Sequence, residues 1–288
     1  MNTAARMCCV SIGIFLSAVA ASGQALAQTR GTVERMYVLY CGESTTQDVS
    51  ANWSPGVNVG VARDFSDNCY LVKHAKGWLL WDTGMSDSIA EMPQGLSAAN
   101  GLLTMYVKKT LASQLRGLGV APGDVKLLAV SHFHSDHVGN ANLFAGTKVY
   151  IQEPEYAAAF GPDAAKFGYA PKFYEKLATG EVVKLKGDHD VFGDGSVQIV
   201  STPGHTPGHQ SLLVRLPKSG AVVLSGDMVH FQENWDSRII PARNFDKKQS
   251  AESMDRVARL LEAEHAKLWI NHDKAQSAGV AHAPEFVE

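Results

Sequence analysis

The chain has 288 residues, 45% hydrophobic and 19% charged, with 26 Lys and Arg against 29 Asp and Glu and a formal charge of −3. That balance leaves no basic surplus of the kind a nucleic-acid-binding surface requires. The length exceeds a typical single domain, yet layered α/β folds of this size form one unit, so one domain with an ample core is the expectation.

Arg6 precedes an apolar run from Met7 to Ala21, and Ala25-Leu26-Ala27 stands just before Gln28. A charged start, a short apolar stretch and a small-residue site predict a cleaved secretory signal over 1–27, with 28–288 as the mature domain, periplasmic or secreted. A stable membrane anchor is the competing reading, but the run is interrupted and shorter than the ~20 residues a spanning helix needs. Cleavage removes Arg6, Cys8 and Cys9 and leaves Cys41 and Cys69. In an oxidising compartment these two either pair or serve as small buried hydrophobes, and sequence does not supply the geometry that decides.

Strands are expected over 35–40, 68–73 and 78–81. A helix is expected over 104–118, where Met105, Val107, Leu111, Leu115 and Leu118 recur at helical spacing and Gly119 closes the run. Next come strands at 125–130 and 148–152, a helix from Pro154, and a polar-aromatic stretch over 160–174. Strands follow at 182–185, 197–201, 211–216 and 221–225, then a helix over 250–263 and a strand over 267–270. Periodicity alone licenses α/β or α+β, and no internal repeat is visible.

Residues 132–137 read His-Phe-His-Ser-Asp-His, four candidate ligands in six positions directly after a strand. A solvated histidine-rich loop is the plainer reading, and further ligand types at later strand ends weigh against it. These are His205 in a Gly/Pro-rich turn, Asp227 after the 221–225 strand, and His272 after the last strand. Shared between two ions, the set gives His132, His134 and His205 to one, Asp136, His137 and His272 to the other, and Asp227 as a bridge. Imidazole and carboxylate donors suit zinc or another first-row ion. Two such cations hold a hydroxide between them at neutral pH, so hydrolysis is the expected chemistry.

The His-x-His-x-Asp-His motif resembles that of the metallo-β-lactamase superfamily, which implies a four-layer αβ/βα sandwich. From about Met36 onward the chain is similar to the dinuclear N-acyl-homoserine lactonases of that superfamily. The shared segments are Trp81-Asp82-Thr83-Gly84-Met85, Glu155-Tyr156-Ala157-Ala158, Gly187-Asp188-His189-Asp190, 202–213 and Asn271-His272-Asp273. The resemblance implies two Zn(2+) ions, an acyl-lactone substrate, and a second task for Asp136, handling the proton of the leaving alkoxide. Those lactonases carry a tyrosine three residues after the bridging aspartate. Here that position is His230, either a donor to the lactone carbonyl or a passive loop residue. Asp82 is expected to orient a ligand histidine or merely to form a turn, and His209 to stand behind the ligands.

The metal residues set the reaction class and leave the substrate open. An organophosphate or phosphodiester hydrolase, or another ester or thioester hydrolase, is the alternative. A β-lactamase is disfavoured by the carboxylate at Asp227. Tyr156, Phe160, Phe167, Tyr169, Phe173, Tyr174, Met85, Met92, Leu102 and Leu103 are candidates for an acyl channel, although such residues more often form core. A homodimer is left open.

Overall fold

The computed structural model describes residues 32–288 together with Met1, so the expected signal over 1–27 otherwise lies outside the described residues. Strands β1 (Val33–Thr46), β2 (Arg63–His74) and β3 (Gly77–Trp81) form an antiparallel meander. Short β4 (Leu96–Ala98) and β5 (Leu103–Tyr106) extend its β1 edge. Strands β6 (Val125–Ala129), β7 (Lys148–Gln152) and β8 (Val182–Leu185) continue in parallel from β3. The eight-stranded order is β4-β5-β1-β2-β3-β6-β7-β8. A second sheet comprises β9 (His189–Asp190), β10 (Val197–Ser201), β11 (Gln210–Leu216), β12 (Gly220–Leu224) and β13 (Lys267–Trp269), with β13 parallel to β12.

Adjacent side chains on a strand point to opposite faces, and both faces of each sheet are apolar. Val38, Val72 and Leu79 meet Ile199, Leu212 and Leu224 between the sheets. Their neighbours Leu39, Leu71 and Leu80 point outward, into a cluster shared with Leu111 and Leu115 of α1 (Leu111–Gly117). A four-residue helix, α2 (Ser135–Val138), follows β6, and α3 (Glu153–Phe160) adds Ala158 and Ala159 to the same outer cluster. After α4 (Gln232–Ser237) comes α5 (Lys247–Glu264), whose Met254 and Val257 cover Val200, Leu213 and Val223 on the outside of the second sheet. A short α6 (Lys274–Ala278) closes the set. The result is helix, sheet, sheet, helix, the expected four-layer αβ/βα sandwich.

The helix expected over 104–118 begins later. Leu103–Tyr106 is strand, paired with β1 and β4, and only Leu111–Gly117 is helical. Thr110 caps that helix by accepting from the Ser113 N–H, and Asp87 accepts from the N–H groups of Leu111 and Ala112. Three donors of the first turn are thereby satisfied at 110, and tertiary pairing claims Met105 for a sheet. Cys41 and Cys69 are joined, with Cα atoms 5.7 Å apart. Cys41 lies at a register shift between Tyr40 and Gly42 where β1 bulges against β2.

Candidate metal centre

The ligand-bearing loops leave strand ends of both sheets and converge at one edge of the sandwich. His132 and His134 follow β6, with Asp136 and His137 on α2. His205 lies between β10 and β11, and Asp227 and His272 follow β12 and β13. Donor atoms of His132, His134, His205 and Asp227 lie within 4.8 Å of one another, as do those of Asp136, His137 and His272. All seven residues expected from the sequence are brought together. His230 joins Asp227 and His272 in a third such group.

Each imidazole of the two sets turns one nitrogen outward to an oxygen. His134 Nε2 lies 3.0 Å from the Phe167 carbonyl, His205 Nδ1 3.0 Å from Asn244 Oδ1, and His272 Nδ1 2.8 Å from the Ser66 carbonyl. His137 Nδ1 is 3.0 Å from Asp82 Oδ2, and His132 Nδ1 3.0 Å from Ser131 Oγ, whose own hydroxyl donates to Asp82. With those outward nitrogens as donors, the inward nitrogens carry lone pairs. They crowd together: His132 Nε2 is 2.8 Å and His205 Nε2 3.1 Å from His134 Nδ1. Acceptors facing acceptors at that range fit a shared cation, since tetrahedral zinc with bonds of about 2.0–2.1 Å sets its donors roughly 3.3 Å apart.

Asp227 divides its carboxylate between the sets. Oδ1 lies 2.9 Å from His272 Nε2 and 3.1 Å from His137 Nε2, whereas Oδ2 lies 3.3 Å from His205 Nε2 and 3.8 Å from His132 Nε2. Oδ1 and His137 Nε2 are buried without a hydrogen-bond partner among the described residues, again as facing lone pairs require. Asp136 Oδ2 stands 4.0 Å from His272 Nε2. Burial alone would raise Asp227, but His272, His137, His230 and His132 outweigh it and hold the carboxyl well below its usual range. Burial likewise depresses His132 and His205. At His272 and His137, by contrast, Asp227 outweighs burial and raises the ring, His272 to about 9, a pull toward positive charge that a cation between these donors would satisfy in place of the proton.

His209 stands behind the centre. Its Nε2 accepts the Asp227 N–H at 2.9 Å, and its Nδ1 faces the Thr202 carbonyl at 3.0 Å. Gly226, at φ +53°, lets the chain pass so close that a Cβ there would sit 2.7 Å from His209 Nε2. Asp82 also has a positive φ, +58°, which aims its carboxylate at Ser131 and His137.

Sequence reasoning gave no role to Glu155 and did not single out Asp67. Asp67 is buried, with Oδ1 accepting from the Asn271 amide at 3.0 Å and Oδ2 without a partner among the described residues. Burial pushes it up to about 7. No spacing signal marks it, because its neighbours come from 204 residues away. Glu155 lies inside a segment that the family resemblance covers, and its contacts form only in three dimensions.

A cavity of about 780 Å³ opens over Asp136, Asp227 and His230. Trp53, Phe65, Leu103 and Met105 supply one apolar part of its lining, and Phe167 with Phe245, ring centroids 5.9 Å apart, another. Most of the expected channel residues lie elsewhere. Tyr169 and Tyr174 are core, Tyr156, Phe160 and Phe173 pack on that core, Met85 is buried with Ile89, and Met92 is exposed. Leu102 packs against the cluster of Trp53 and Phe65 behind the cavity, leaving Phe167 and Leu103 as the candidates that reach it.

The chain resembles characterised proteins along most of its length. It is 31% identical over 264 residues to an N-acyl homoserine lactonase of a Bacillus species, covering 89% of this chain and 100% of that one. It is 30% identical over 263 residues to the N-acyl homoserine lactonase AttM of Rhizobium radiobacter, covering 88% and 98%. Among solved structures, an N-acyl homoserine lactone hydrolase with N-hexanoyl-L-homoserine at its catalytic metal centre superposes with a TM-score of 0.77 at 27% identity, covering 88% and 99%. Residues 62–264, which hold six of the seven donors, match the family model of the metallo-beta-lactamase superfamily, and with the paired ligand sets between two sheets this chain belongs to that superfamily.

Proposed function

We propose that this protein hydrolyses N-acyl homoserine lactones at a centre of two divalent cations, zinc being the ion its donors suit. The division of the Asp227 oxygens between two histidine sets carries the reading, and relatives named as lactonases along nearly the whole chain supply the substrate class. In this reading His132, His134 and His205 hold one cation, Asp136, His137 and His272 the other, and Asp227 is shared. Bound there, the cations supply a water-derived nucleophile at neutral pH and an electrophile for the carbonyl oxygen.

The remaining tasks fall to this chain's own groups. His230, 2% exposed at the cavity floor with Nε2 turned toward Asp227, donates a hydrogen bond as charge gathers on the carbonyl oxygen. Asp136 takes up the proton released by the attacking water and passes it to the leaving alkoxide as the ring C–O bond breaks, completing the hydroxy acid. The apolar lining at Trp53, Phe65, Leu103 and Met105 receives the acyl chain. The reading includes export to the periplasm or beyond, supported by the Cys41–Cys69 bond, since disulfides persist in oxidising compartments.

Mass spectrometry after incubating metal-replete protein with N-hexanoyl-homoserine lactone tests the reading, with a phosphotriester, an aryl ester and a cephalosporin in parallel. The lactone is expected to gain one water fastest. An intact lactone beside a hydrolysed phosphotriester would transfer the assignment to that class.

A further inference from the structure

Glu155 belongs to neither ligand set, yet it joins the loops that carry one of them. It is 1% exposed in the first turn of α3 and accepts four hydrogen bonds. Oε1 takes the Phe133 N–H at 3.1 Å and the Tyr169 hydroxyl at 2.6 Å. Oε2 takes the Thr206 hydroxyl and the Gly208 N–H, both at 2.8 Å. Phe133 lies between His132 and His134, and Thr206 directly follows His205. One carboxylate therefore spans the two chain segments, about seventy residues apart, whose imidazoles converge on His134 Nδ1. The approach is close: a Cβ at Gly208 would sit 2.4 Å from the Glu155 nitrogen.

We propose that Glu155 is a positioning residue that fixes the spacing between the His132–His134 pair and His205, and so sets the affinity of that cation position selectively. It acts less on the position of Asp136, His137 and His272, because none of its four donors lies on α2 or beside His272, and the nearest, Phe133, stands between His132 and His134 ahead of that helix. The inference rests on the two-cation reading above but not on the substrate.

The chemistry of the donors makes the substitution informative. Two of the four are backbone N–H groups, one at each oxygen, and only a group with two accepting oxygens satisfies both. In Glu155→Gln the amide nitrogen faces either the Phe133 or the Gly208 N–H, whichever way the side chain turns. The Tyr169 and Thr206 hydroxyls can rotate to accept instead. The variant thus loosens one backbone tie while preserving volume.

Stepwise zinc binding to the full mature chain, by competition with a chromophoric chelator, and the visible spectrum of the cobalt-loaded protein read the two positions separately. Glu155→Gln is expected to weaken one of two equivalents about 10–100-fold, the range typical when a group behind a metal ligand is lost. The other equivalent and its cobalt band should change less. Tyr169→Phe, which keeps both backbone ties, is expected to weaken the same equivalent less and to guard against misfolding of the first variant. Two equivalents of wild-type affinity in Glu155→Gln would overturn the proposal, as would equal weakening of both in either variant. A wild-type protein that binds two equivalents and opens no lactone would remove the substrate and leave this inference intact.

Discussion

Oδ2 of Asp82 lies 3.0 Å from Nδ1 of His137, fixing which imidazole nitrogen is left for the centre. Asp82→Asn can turn an amide hydrogen toward that nitrogen or toward the Ser131 N–H, which Oδ1 now accepts at 2.6 Å. The expected result is about 10–100-fold weaker binding of the cation beside His137, measured by chelator competition. Unaltered binding of both equivalents would show that the tie does not govern the ligand.

Asp227 is the carboxylate that both sets share. Asp227→Ala should cut the metal content of purified protein from two equivalents to one or fewer, by elemental analysis, and abolish lactone turnover. Retention of both ions with normal turnover would dismiss the bridging role.

His230 differs from the histidines of the two sets in having no outward anchor: its Nδ1 is buried without a partner among the described residues, while Nε2 lies 3.3 Å from Asp227 Oδ2. His230→Phe should keep two metal equivalents and lower kcat about 10²–10³-fold, the scale for losing one donor to a developing oxyanion. His230→Tyr should recover part of that loss. Departure of a metal ion from the phenylalanine variant would instead make His230 a ligand.

Burial pushes His209 down to about 3, whereas an unfolded histidine titrates near 6.5. Between those values unfolding takes up a proton that the folded ring refuses, so stability is full above about pH 6.5 and falls as pH drops toward 3. The slope from this one group is about 1.4 kcal/mol per pH unit. His209→Gln can donate to the Thr202 carbonyl and accept from Asp227 without titrating. Urea unfolding of chelator-treated protein at pH 7 and 5 should show a shallower pH slope in the variant, by about one proton. Equal slopes would refute the assignment.

Much of the centre is legible in the chain itself. His132, His134, Asp136 and His137 announce themselves by density, and His205, Asp227 and His272 by standing where apolar strand patterns stop. The strands at 148–152, 182–185 and 197–201 coincide with their apolar runs because each is buried on one or both faces. The 104–118 segment misled because Met105 and Val107 fit a helical period as well as an alternating one, and its pairing with β1 is decided by residues sixty positions away.

What the sequence alone determined was the kind of candidate donors and a mixed α/β or α+β class, since side-chain chemistry and apolar periodicity are local properties, while the four-layer arrangement was implied by the family resemblance. Only the tertiary structure decided which nitrogen each imidazole offers and how Asp227 divides its oxygens. It likewise decided that Glu155 braces the His205 turn and that Cys41 and Cys69 pair. The disulfide needs β1 laid beside β2, and the other outcomes depend on distances of about 3 Å between atoms far apart along the chain, which exist only once the two sheets have packed face to face.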